Sequence, residues 1–155
     1  GGEPLVQADA LEEWLPAWPG RVVLETAGLW PERLRTLLPF LDAVSLDWKL
    51  ASTLRETEEA VSPRECVELL QQSELPFWVK VVLTETVSEE ELDGALQELA
   101  QLSPQCRTFL IPATPGPGHA SGPDTDFLLK AQLRNRALGL KMQVMPQIHP
   151  ILGVR

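Results

Sequence analysis

The chain has 155 residues, 44% of them hydrophobic and 23% charged, which is enough for one globular domain (1–155) with a real core. A formal charge of -9 excludes a protein that tracks a nucleic-acid backbone, because that work needs clustered Lys and Arg. No apolar run approaches the ~20 residues that span a bilayer and no basic-then-apolar leader precedes the first helix, so the expectation is a soluble, cytoplasmic protein with no nucleic-acid or membrane partner. Most of the acid is expected on solvated helix faces.

At the start, Gly1-Gly2-Glu3-Pro4 lets the backbone approach a ligand with no Cβ in the way and offers a carboxylate that can take hydrogen bonds from an ammonium group. The plainer reading is a turn before a helix. Leu5 to Trp18 carries Leu11, Trp14, Leu15 and Trp18 at helical spacing, with Asp9, Glu12 and Glu13 on the other side, and Pro19-Gly20 ends it. Arg21 to Thr26 is a short apolar run of the buried parallel-strand type, and Pro31 opens the next helix. Further strands are expected at Ala43–Asp47, Phe77–Thr84, Thr108–Ile111 and Met142–Met145. Helices are expected over about Pro63–Ser73, from a Ser88 cap with Glu91 completing a capping box, and over Thr125–Leu138 with Gly139 as the stop. Strands alternating with helices imply right-handed crossovers and a mostly parallel sheet. The fold class is α/β.

In such folds ligands gather at the carboxyl ends of the strands. There the chain places Glu25-Thr26, then Asp47 with Lys49, then Thr84-Glu85, then the Pro- and Gly-rich loop Pro112 to Pro123, then Gln147 with His149. Each has a plain structural reading beside the functional one. Asp47 and Lys49 make an exposed ion pair worth under about 1 kcal/mol on the first view, and the loop is either a connection or a binding element. Cys66 and Cys106 are far apart and read as buried thiols, with no close-set group to ligate an iron–sulfur cluster. No P-loop or serine elbow occurs, and His119 and His149 lack the spacing of a helical zinc site.

Taken in order, six pieces resemble the radical S-adenosylmethionine enzymes, and within them the 7-carboxy-7-deazaguanine synthases. They are GGEP at Gly1 to Pro4, LETAG at Leu24 to Gly28, SLDWKLAS at Ser45 to Ser52, VKVVLT at Val79 to Thr84, IPATP at Ile111 to Pro115, and MPQIHPILGVR at Met145 to Arg155. The resemblance implies a partial (β/α) barrel, truncated at its amino end, with S-adenosylmethionine at the strand ends. It implies that Gly1, Gly2 and Glu3 receive the cofactor's amino group and that Ser45, Asp47 and Lys49 lie near its ribose or carboxylate. Glu25 and His149 would be the catalytic groups; together with Gln147, which is also grouped with the cofactor-binding residues, they would face a pterin substrate.

The implied reaction is a radical ring contraction of 6-carboxy-5,6,7,8-tetrahydropterin to 7-carboxy-7-deazaguanine in queuosine biosynthesis, with a 4Fe-4S cluster and Mg2+ in the parent enzyme. The family's three-cysteine motif would precede GGEP, so neither metal centre has ligands in this chain, and the chain alone is expected to be inactive, with an unpaired sheet edge and an uncovered apolar helix face. Ala27 stands where many members carry Asn, and Pro150 where many carry Lys. The alternatives are a glycyl-radical activase and a cluster-less α/β module that binds a nucleoside or a partner chain without catalysis. Homodimerisation is open.

Overall fold

The computed structural model describes residues 2–54, 62–114 and 121–147. Among these, five strands form one sheet, β1 Val23–Thr26, β2 Ala43–Trp48, β3 Phe77–Leu83, β4 Arg107–Pro112 and β5 Lys141–Val144, in the order β1-β2-β3-β4-β5. Every neighbouring pair is parallel. The helices are α1 Ala8–Trp14, α2 Pro31–Leu37, α3 Arg64–Ser73, α4 Glu89–Leu102 and α5 Thr125–Arg134. Strands that follow one another in sequence and in space, joined by right-handed crossovers, put every helix on the same side of the sheet. The helices do pack in a row, α1 on α2, α2 on α3, α3 on α4 and α4 on α5. One face of the sheet is therefore core and the other is open, as in the wall of a partial barrel.

Alternation along the strands sorts the residues between the faces. Leu24, Val44, Leu46, Val79, Val81 and Leu110 are buried against the helices. The helices read as amphipathic for the same reason: Leu92, Leu96 and Leu99 of α4 recur at three- and four-residue spacing and are buried. The acid lies largely on their outer sides, with Glu89, Glu90 and Glu91 in the first turn of α4, where the N-terminal dipole favours negative charge.

Three expectations are corrected in detail. The single helix over Leu5 to Trp18 is three pieces, a 3-10 turn Pro4–Gln7, then α1, then a second 3-10 turn Leu15–Ala17. Pro16 lies inside the expected span and has no N–H to continue the α ladder, so the last turn tightens. Ser88 does cap α4, accepting from Glu91 N at 3.1 Å, but the expected reciprocal bond is not made. The Glu91 carboxylate reaches across instead and accepts from Ser52 N at 2.8 Å, tying α4 to the loop after β2. The helix expected over Thr125–Leu138 is α5 followed by a 3-10 turn Asn135–Leu138, and Gly139, φ 79°, ends that turn in the left-handed region.

β1 is an edge strand with Val23 55% exposed. Beside it runs a groove of about 450 Å3 lined by Gly2, Leu11, Trp14, Val23 and Leu41 among others. None of the described helices is long and apolar enough to cross a membrane.

Candidate functional site

Register brings two rows of side chains together on the open face. Glu25 on β1, Ser45 on β2, Trp78 on β3, Arg107 on β4 and Lys141 on β5 are aligned in one row. Two residues further along each strand, Asp47, Lys80, Phe109 and Gln143 form the next, nearer the carboxyl ends. A strand interior that faced only solvent would not carry Trp78 and Phe109, and one that faced a dry core would not carry this density of charge. Such a mixture can serve a ligand that carries both an apolar ring and polar groups.

The chain start is stapled to the end of β1. Glu3 Oε1 accepts from Leu5 N at 3.0 Å and from Thr26 Oγ1 at 2.6 Å, while Oε2 accepts from Ala27 N at 2.8 Å. Thr26 Oγ1 in turn accepts from Gly28 N at 3.1 Å. The GGEP and LETAG segments are thus one local unit, with Glu3 as N-cap of the first turn. Gly2 has φ 125°, a conformation that suits glycine. Gly28, φ 68°, is needed twice over, because a Cβ there would sit 3.0 Å from Leu46 Cδ1 and 3.0 Å from Pro63 Cβ. Gly1 lies outside the described residues.

At the end of β2, Asp47 Oδ2 meets Lys49 Nζ at 2.7 Å. The Asp47 side chain is only 18% exposed, so this is more than a solvated surface pair. Its other oxygen, Oδ1, is buried with no hydrogen-bond partner among the described residues, and so is Ser52 Oγ five residues on. Two orphaned polar atoms in one rim segment, SLDWKLAS, are costly unless something supplies the bond. A cofactor with hydroxyl and amino donors fits this want: Asp47 Oδ1 can accept from a ribose hydroxyl, and Ser52 Oγ can donate or accept. Ser45 is 4% exposed and lies one row below.

Lys80 is the residue that the sequence reading passed over. It crosses from β3 past β2 to form an ion pair with Glu25 on β1, with its own side chain 18% exposed and the Glu25 side chain 71% exposed. The signal was available, since Lys80 is the one charged residue within Val79 to Leu83, but its face is legible only through register. Gln147 Oε1 accepts from Thr114 N at 3.0 Å and so ties the segment after β5 to the start of the Pro- and Gly-rich loop. That loop's return is docked on the same rim, through Gly122 N to Ala113 O at 2.8 Å and Ala113 N to Leu83 O at 2.8 Å. The structure thus brings Gly2, Glu3 and Glu25 to β1, and Ser45, Asp47 and Lys49 to β2, with Gln147 beyond β5. His149 and His119 lie outside the described residues.

Among the described residues no group of three or more His, Cys, Asp and Glu could hold a metal ion. Cys66 on α3 and Cys106 before β4 are both buried free thiols, and burial pushes each up to about 11. They do not fit a cluster, which needs thiolates at one place.

No family model matches the chain. It is 26% identical over 155 residues to a 7-carboxy-7-deazaguanine synthase of Geobacter sulfurreducens, covering 99% of this chain and 61% of that protein. It is 30% identical over 156 residues to the protein of the same name from Methanopyrus kandleri, covering 98% of this chain and 58% of that one. The chain thus spans about three-fifths of the length of these relatives. In fold it matches a domain of a pyruvate-formate lyase-activating enzyme from Bacteroides vulgatus, with a TM-score of 0.74 at 18% identity over 94% of this chain and 95% of that one. With the partial-barrel fold in place and the sequence similarity running from end to end, the chain resembles the radical S-adenosylmethionine enzymes, and within them the 7-carboxy-7-deazaguanine synthases.

Proposed function

We propose that the whole protein is a radical S-adenosylmethionine lyase that converts 6-carboxy-5,6,7,8-tetrahydropterin to 7-carboxy-7-deazaguanine, and that this chain carries the wall that holds cofactor and substrate. The observation that supports this most is the similarity, over nearly the whole of this chain, to two synthases of that name from different organisms. The glycyl-radical activase reading has likeness of fold alone behind it, so the synthase is favoured.

In this reading the cofactor's amino group meets Gly1, Gly2 and Glu3. A carboxylate has about four lone-pair sites, and Glu3 has three filled from within the chain, leaving one on Oε2. The ribose meets Asp47 Oδ1, which wants a donor, while Lys49 holds the other carboxylate oxygen in place. When bound, the cofactor supplies a radical able to abstract hydrogen from the substrate. The chain's own part is positional: Glu25, braced by Lys80, accepts hydrogen bonds from the pterin's N–H edge, and Gln147 and His149 are the further substrate-facing residues. The 4Fe-4S cluster and Mg2+ are proposed for the whole protein, and no described residue is assigned to either.

The test uses the full-length protein prepared anaerobically. Iron and sulfide content and the formation of 5'-deoxyadenosine are measured with and without the pterin. Substrate-dependent 5'-deoxyadenosine and a 7-carboxy-7-deazaguanine product are expected. A cluster with no response to the pterin would remove the substrate assignment, and a full-length protein that binds no cluster would remove the enzyme.

A further inference from the structure

The amino ends of the strands, opposite the rim discussed above, carry a second cleft of about 400 Å3. Its lining includes Gln71 at the end of α3, the turn Ser103 to Cys106, and Trp78, Arg107 and Lys141 on the open face. Arg107 and Lys141 are aligned on adjacent strands, so their Cα atoms are about 4.8 Å apart, and Trp78 is aligned with Arg107 on the other side. Like charges at that spacing repel. Elsewhere Arg35, Lys49, Arg64, Lys80, Lys130 and Arg134 each have a carboxylate within 4.0 Å. Arg107 and Lys141 have none among the described residues, and although the same holds for Arg21, Arg33 and Arg136, only Arg107 and Lys141 are neighbours in one cleft, whose lining contains no Asp or Glu. In a protein of charge -9 this is a local excess of unneutralised cations.

Further donors face the same space. Ser103 Oγ donates to Gln71 Oε1 at 2.6 Å, which occupies the amide oxygen and leaves the NH2 group of Gln71 uncommitted among the described residues. Gln105 is held at φ 64°, a strained conformation for a non-glycine residue, in the turn that forms the cleft wall. A guanidinium fork, an ammonium and an amide NH2 with no acceptor among them match a group that only accepts, and an indole gives that group's ring or chain a surface to lie on. The volume suits a small molecule.

We propose that this cleft binds a small dianion, a phosphoryl or dicarboxylate group held between Arg107 and Lys141 with its remaining part against Trp78. Its charged pair sits at the amino ends of β4 and β5, about 17 Å along β4 from Pro112 at the carboxyl end and two or more strands across the row from Ser45 and Glu25. The site does not depend on the reaction proposed above.

Inorganic pyrophosphate and citrate are titrated into the full-length protein by calorimetry at low salt. Both variants of the comparison lose two positive charges: R107Q/K141Q in the cleft, and R21Q/R136Q on other surfaces. One-to-one binding of either anion, weakened at least about tenfold in R107Q/K141Q and unchanged in R21Q/R136Q, is expected. The relative affinities of the two anions then distinguish a phosphoryl from a dicarboxylate ligand. Absence of binding by both anions up to about 10 mM would overturn the proposal, as would equal weakening in the two variants, which would mean diffuse charge and no site.

Discussion

Replacing Glu3 by glutamine keeps the shape of the side chain and turns one acceptor into a donor at a place where every neighbour donates. Leu5 N and Thr26 Oγ1 converge on Oε1, and Ala27 N on Oε2. The least damaging orientation of the new carboxamide puts its NH2 against Ala27 N, which loses that bond and sets two donors face to face. A hydrogen bond to a charged acceptor contributes about 1.5–3 kcal/mol; the site is only partly buried, so a loss of about 2 kcal/mol is expected for Glu3→Gln. Glu3→Ala, which abandons all three donors, should cost roughly 3–5 kcal/mol on the same basis. Equilibrium urea unfolding of the full-length protein reads both. A cycle with Thr26→Val isolates the staple: Thr26 is 2% exposed, and the pair should couple by about 1 kcal/mol or more. A Glu3→Gln change within about 0.5 kcal/mol of wild type, or an uncoupled cycle, would refute the view that Glu3 fastens the chain start to β1.

Gly28→Ala should destabilise by roughly 1–3 kcal/mol, since the new Cβ meets Leu46 and Pro63 at 3.0 Å in a left-handed conformation; thermal unfolding measures it. The two thiols, pushed up to about 11 by burial, should be inert in the native state, with about one in a thousand ionised at about pH 8 and labelling by a thiol reagent limited by unfolding. The same shift makes the folded form hold protons that the unfolded chain releases, so the stabilisation is fully present below pH 9.0 and is lost as the pH rises towards about 11; Cys66→Ala and Cys106→Ala should flatten that alkaline slope. Asp93 is pushed up by burial, but hydrogen bonds from Arg134 and Asn135 outweigh this and hold it below its usual 3.8. Its contribution is present above that value and disappears as the pH falls through the folded one, so Asp93→Asn should reduce the acid sensitivity of the thermal midpoint.

The strand positions were legible because each is a short apolar run bounded by turn residues, and five runs in series leave little choice of topology. The rim was legible from topology too: Asp47, Lys49 and Gln147 stand where strands end, and the structure finds them there. Pairing was not. Nothing in the sequence separates a Glu25 that waits for a ligand from a Glu25 that meets Lys80, because that contact spans 55 residues and depends on the register of β1, β2 and β3. Glu3 was read for its charge, whereas its bonds to Thr26 and Ala27 come from a fold-back of the chain that no local pattern encodes. Glu91 fits a capping-box spacing, yet the competing partner Ser52 N, brought near by tertiary packing, takes its carboxylate.

The charge distribution connects the two faces of the sheet. Much of the acid of this chain is carried by helices, Asp9, Glu12 and Glu13 on α1 and Glu89, Glu90 and Glu91 on α4 among them, while the strands' open face sets Lys80, Arg107 and Lys141 against Glu25 and Asp47. Three cations against two carboxylates give the strand face a charge of +1 inside a protein of -9, with Lys49 set against Glu3 and Glu85 at the rim. A concave, partly apolar wall with that sign concentrates anions, and it does so more as the salt concentration falls. The proposed substrate, a 6-carboxypterin, is an anion with a flat ring, which suits a wall that presents Lys80 beside Phe109. The acidic helices turn outward and repel the same molecule, so it is drawn to one side of the sheet. Charge reversal on the open face, Lys80→Glu, should therefore slow capture of the pterin by the full-length protein, with the effect shrinking as salt is raised. Stopped-flow binding at two ionic strengths reads this, and a rate that is unchanged by the substitution at low salt would separate the charge pattern from substrate recognition.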